Sequence, residues 1–77
     1  MKIKVIVTLK KGVLDPQAKA ILQTLNGMGY SNIDEIRQGK FFEISVNEDN
    51  EAKAKAQVED MCKKLLANLV IEDYKII

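Results

Sequence analysis

From Lys2 to Ile77 the spacing of apolar residues switches between two and about 3.6, and this succession of periods restricts the fold more than any other feature of the sequence. Lys2-Ile3-Lys4-Val5-Ile6-Val7-Thr8-Leu9-Lys10 sets Ile3, Val5, Val7 and Leu9 on one face and mostly polar groups on the other, as a half-buried strand does. Ile6 faces the other way. Asp15 can then cap a helix, with Pro16 at the first helical position, where no N–H is missed. Ala18, Ile21, Leu22, Leu25 and Met28 form an apolar stripe that Gly27 and Gly29 bring to an end. Ile33 to Gln38 is expected as a second strand, bulged or at an edge because Ile33 and Ile36 stand three apart. Gln38-Gly39-Lys40 is expected to turn tightly into a third strand, Phe41 to Val46, with Phe42, Ile44 and Val46 on one face. Asn47 to Glu51 offers caps and negative charge for a second helix, whose expected buried stripe is Ala54, Val58, Met61, Cys62, Leu65 and Leu66. Glu59 to Lys63 and Asp60 to Lys64 are spaced to pair on its outer face. Val70 to Ile77, rich in β-branched residues, closes the chain as a strand.

The resulting order, β-α-β-β-α-β, is the ferredoxin-like α+β arrangement: an antiparallel sheet with two helices on one face, in a single domain over residues 1–77. The other sheet face is left open. Ile6 and Phe41 point there, and the last strand carries Tyr74 and Ile76 on one side and Ile71 and Ile77 on the other. Such a face is expected to be a contact surface for another subunit.

Size supports that expectation. A chain of 77 residues buries only about 60 to 65% of the surface its unfolded form exposes. The lone Cys62 cannot form an internal disulfide, and no histidine is present to build a zinc site. Another protein chain is the remaining staple. A net charge of +1 gives no field for nucleic acid or anionic lipid, and no apolar run approaches the roughly 20 residues that span a bilayer. Met1-Lys2-Ile3-Lys4 lacks the apolar stretch of a signal peptide, so a cytoplasmic, reduced protein is expected.

Catalytic groups are hard to find. Without histidine, Ser31 and Ser45 have no partner to activate them. The neighbouring acids Asp34-Glu35 and Glu72-Asp73 fall on expected strands and point to opposite faces, so neither pair converges on a substrate. Cys62 sits in an apolar stripe that makes a thiol inert. Gly39-Lys40-Phe41-Phe42 has a superficial likeness to the aromatic strand of RNA-recognition domains, but adjacent phenylalanines face opposite sides and Arg37 is the only arginine. Gly12 precedes a helix N-terminus that could hold an anion, yet Asp15 already occupies the cap.

Three segments taken together resemble the PurS family, the small subunit of the multi-subunit phosphoribosylformylglycinamidine synthase of purine biosynthesis. They are Val7-Thr8-Leu9-Lys10 through Gly12-Val13-Leu14-Asp15-Pro16-Gln17, then Arg37-Gln38-Gly39-Lys40, then Leu65-Leu66-Ala67-Asn68 through Val70-Ile71-Glu72-Asp73-Tyr74. The chain departs from the family pattern at Ala18, where glycine is usual, and at Leu69, where proline is usual and its loss frees the backbone before the last strand. The resemblance implies a subunit without catalytic residues, metal or cofactor of its own. Such a subunit forms a homodimer or tetramer and joins a glutaminase (PurQ) to an ATP-dependent synthetase (PurL). The assembled enzyme would use ATP and glutamine to convert formylglycinamide ribonucleotide to formylglycinamidine ribonucleotide.

The residues the resemblance marks for partner or dimer contact are Asp15 and Pro16, Arg37, Gly39 and Lys40, then Asn68, Glu72, Asp73 and Tyr74, with Phe41 added from the open face. Each also has a local explanation. Asp15 and Pro16 can simply start a helix, Gly39 can supply a positive φ for a turn, and Asn68 can be a helix C-cap. Arg37 and Lys40 can be ordinary solvated charges, whereas Glu72, Asp73 and Tyr74 have no evident local partner in the sequence. The rival reading is a free-standing ferredoxin-like domain that binds a small metabolite at a sheet face or a dimer interface.

Overall fold

The computed structural model describes every residue from Met1 to Ile77. Its elements are β1 (Lys2–Leu9), α1 (Pro16–Gly27), β2 (Gly39–Ser45), α2 (Glu51–Met61), which runs on into a π-helical turn (Cys62–Leu66), and β3 (Glu72–Ile76). The strands form one antiparallel sheet in the order β2-β1-β3. β1 becomes the central strand because its alternation is the most complete in the chain. Ile3, Val5 and Val7 are buried while Lys2, Lys4 and Ile6 face the other side.

The core is the layer between that strand and α2. Ile3, Val5 and Val7 meet Ala54, Val58, Cys62 and Ala67, with Phe42, Ile44, Tyr74 and Ile76 packed around them. Small residues on α2 let the helix lie close to β1, and Asn50 starts it by accepting a hydrogen bond from the Lys53 N–H at 3.1 Å. The expected stripe holds at Ala54, Val58 and Cys62 and then shifts. The Ala67 N–H reaches back five residues to the Cys62 carbonyl, a π-type bond that widens the turn. Leu65 is thereby turned out to 83% exposure, and Ala67 takes the buried place instead. Met61 is exposed as well. On the outer face Lys64 pairs with Asp60 at 2.8 Å and Lys55 with Glu51 at 3.2 Å, while Glu59 and Lys63 do not pair.

Two expectations about the middle of the chain are corrected. Residues 33–38 occupy the expected place between α1 and β2 but make no ladder bonds, so the sheet has three strands. Ile33 and Ile36, three apart, cannot both lie on one face of a strand, and Ile36 lines a groove against Ala18 and Leu22 of α1 instead. Nor is Gln38-Gly39-Lys40 a tight turn. Gly39 has no positive φ and opens β2 opposite Thr8.

Helix α1 begins as expected, with the Asp15 carboxylate accepting from the Ala18 N–H at 3.1 Å and Pro16 in the first turn. It ends at Gly27, followed by Gly29 at φ +102°. Its packing differs from that of α2. Of its stripe only Ala18 is buried, Leu22 and Leu25 are half-buried, and Ile21 and Met28 are exposed. Only α2 makes an extensive contact with the sheet. The radius of gyration is 16.1 Å, where a compact chain of this length would have about 11 to 12 Å, and the long dimension is 49 Å. Helix α1 is therefore an arm that carries apolar side chains out from the sheet.

Candidate partner-contact site

Most of the residues that the sequence marks for contact gather where β1 ends and β2 and β3 lie beside it. Gly39 pairs with Thr8, Asp73 with Thr8 from the other side, and Glu72 with Leu9. A shallow groove at this end is lined by Asp15, Gln17, Gln38, Gly39, Lys40 and Glu72, which brings the arm's first turn, the start of β2 and the start of β3 together.

The side chains hold one another in place. The Arg37 guanidinium donates to the Leu9 carbonyl at 2.7 Å and more distantly to Thr8 Oγ1 at 3.5 Å. The Gln38 amide donates to Gln17 Oε1 at 2.6 Å, which ties the segment before β2 to the arm. Glu72 is a sheltered charge, with its side chain 14% exposed. One carboxylate oxygen accepts from the Asn68 N–H at 2.7 Å and the other lies 3.9 Å from Lys40 Nζ. Asp73 faces solvent and pairs with Lys10 at 3.7 Å. Such exposed pairs contribute only about 0 to 1 kcal/mol each, so they orient the surface more than they stabilise it.

The ion-pair partners of Glu72 and Asp73, Lys40 and Lys10, are distant in the chain and come near only through the sheet. Asn68 is not a helix cap. Its side chain accepts from the Val70 N–H at 3.2 Å, and its carbonyl accepts from Ile71 and Glu72, so it forms the turn into β3, while Ala67 caps the helix. Gly39 is required for close approach. A Cβ there would overlap the Val7 carbonyl oxygen and stand 2.9 Å from Thr8 Cγ2.

The remaining two marked residues lie on opposite faces of the sheet. Tyr74 packs against the core on the α2 side, and Phe41 stands on the open face at 56% exposure. Lys10, Gln17 and Gln38 also belong to the cluster, and nothing local in the sequence announces partners so far away in the chain. Burial, with Glu59 as a lesser cause, pushes the Cys62 thiol above its ordinary value, which fits a packing residue. No three acidic or thiol side chains converge as a metal site would require. No helix is long and apolar enough to cross a membrane.

A thin antiparallel sheet covered by one helix, a projecting arm and a polar cluster at the arm's root define a small α+β module of the kind that works as a subunit. The family model "PurS: Phosphoribosylformylglycinamidine (FGAM) synthase" matches residues 2–77. The chain is 49% identical to the FGAM synthase subunit PurS of Methanocaldococcus jannaschii, over 97% of this chain and 90% of that one. It is 45% identical to that of Bacillus subtilis, over 96% and 87%. The crystal structure of M. jannaschii PurS superimposes with a TM-score of 0.88, covering 99% of this chain and 92% of that one at 50% identity. A chain in the structure of PurLQS from Thermotoga maritima gives 0.87, covering 100% and 96% at 28% identity. This chain belongs to the PurS family, and its function is that of a subunit of FGAM synthase in purine biosynthesis.

Proposed function

We propose that the chain dimerises through its arm and, as a dimer or a pair of dimers, docks the glutaminase PurQ to the synthetase PurL. The observation that carries the reading is exposed area. The monomer exposes 5897 Å², against about 4,700 Å² for a compact chain of 8.7 kDa. The excess of about 1,200 Å² exceeds the roughly 800 Å² that each partner contributes to a standard interface. Leu14, Ile21, Met28 and Tyr30, on and around the arm, supply apolar side chains for it. The PurLQS complex of T. maritima, which contains a chain of this shape, supports the docking role.

In this reading the cluster of Asp15, Pro16, Arg37, Gly39, Lys40, Asn68, Glu72 and Asp73 forms the rim of a protein contact. The chain binds no cofactor, and ATP and glutamine are used on the other two subunits, in the cytoplasm. Ammonia released from glutamine has to reach the synthetase before it escapes to water, and a docking subunit keeps the two sites together. Reconstitution tests this. Adding the chain to PurL and PurQ with glutamine and ATP is expected to raise formation of the amidine product at least tenfold, whereas unchanged glutamine-dependent turnover without it would overturn the adaptor role.

A further inference from the structure

Between α1 and β2 lies a stretch of main chain with nothing to bond to. From Asp34 to Gln38 no N–H or carbonyl enters a backbone hydrogen bond, although these residues lead directly into β2. The outer edge of β2 has the complementary lack. Met1 and Val46 exchange both of their hydrogen bonds, so by the antiparallel alternation Lys40, Phe42 and Ile44 bond to β1. Phe41, Glu43 and Ser45 therefore turn their N–H and carbonyl groups to an edge where no strand lies. The apolar layer beside that edge is incomplete as well. Phe42, Ile44 and Val46 are only half-buried next to α2, while α1 stands away with Ile21 and Met28 exposed.

In a closed β-α-β-β-α-β fold, strands adjacent in sequence pair, and residues 34–38 would lie along β2 with α1 beside α2. Within one chain that position is out of reach. Gly39 has no positive φ and passes straight into the ladder opposite Thr8, so no turn lets 34–38 fold back along β2. We infer that two copies exchange these parts. Residues 34–38 of each pair with the outer edge of the other's β2, and α1, travelling with them, covers Phe42, Ile44 and Val46 of the other copy. Reciprocal exchange about a two-fold axis fills both edges at once. Ile36 sets which residues face which side. Because it meets Ala18 and Leu22 of α1, it belongs on the side of Phe42 and Ile44, and Ile33 then turns toward Phe41 on the open face. The spacing of three between the two isoleucines gives each face one of them. This inference deepens the arm-mediated dimer proposed above by naming the surface of the second copy that the arm meets.

The test is NMR on isotope-labelled and unlabelled full-length chain refolded together. Nuclear Overhauser contacts between chains are expected from residues 34–38 to Phe41–Ser45 and from Leu22 and Leu25 to Ile44. The amides of Glu35 and Arg37 are expected to exchange with solvent at least tenfold more slowly in the dimer than in the dilute chain. In a second measurement, Asn-Gly inserted between Gln38 and Gly39 supplies the missing turn. That variant is expected to sediment as a monomer, with the same contacts now inside one chain. A dimer whose inter-chain contacts involve the arm but not the edge of β2 would overturn the exchange and leave arm-mediated dimerisation standing. So would a folded insertion variant that remains a dimer. Where the insertion does not fold, the inter-chain contacts of the wild type decide. A wild-type chain that stays monomeric at micromolar concentration would overturn both the exchange and the dimer.

Discussion

At Gly39 the backbones of β1 and β2 come so close that any side chain would collide with the Val7 carbonyl, an atom that cannot move without disturbing the central strand. Gly39→Ala is therefore expected to destabilise the chain by about 2 kcal/mol, the usual size of an overpacking penalty. The check is the urea midpoint at unchanged m-value, and a midpoint equal to wild type would contradict the close-approach argument. The identity of this glycine was legible in the sequence but its purpose was not, since turn chemistry and close approach call for the same letter. Arg37 and Glu72 show the same limit. Their charges could be read, whereas the Leu9 carbonyl that accepts from Arg37 and the Asn68 N–H that donates to Glu72 are set by how β1, the segment before β2 and the turn into β3 come together.

The elements divide by how much of their stability is local. Helix α2 and the π turn that continues it bury Ala54, Val58 and Cys62 against β1, but α1 buries only Ala18, so its start signal matters more. Asp15→Ala removes the cap on the Ala18 N–H and is expected to cost the arm about 1 kcal/mol. Amide exchange across residues 16–27 at low protein concentration should speed up severalfold, while exchange in β1 stays as it is. Unchanged protection of the arm would mean that tertiary contacts hold it. Both helix starts and the central strand follow from local patterns. The π turn does not, because a single widened bond at Cys62 exchanges Leu65 for Ala67 while the letters still spell a continuous helical stripe. The missing strand at 33–38 fails for a related reason, since β-branched residues three apart satisfy composition without satisfying the pleat.

At the scale of the whole molecule the chain is more extended than a compact fold of its length, with a radius of gyration of 16.1 Å. Eight of its 77 residues are buried, and the arm's apolar side chains meet water. Sedimentation of the isolated chain is expected to show a dimer or larger species at micromolar concentration, with a radius of gyration that grows less than the mass as the copies cover each other's arms. A monomer that persists at that concentration would contradict the area argument. The sequence by itself determined the periods of its elements, the helix caps, the two sheet faces and the family likeness, because these depend on residues near one another in the chain or on their order along it. Only the tertiary structure decided that α1 leaves the sheet, that 33–38 stays out of it, and that acids and bases remote in sequence meet at the arm's root. Those outcomes depend on which surfaces win the limited apolar cover that so short a chain can provide, and that competition is settled between elements rather than within them.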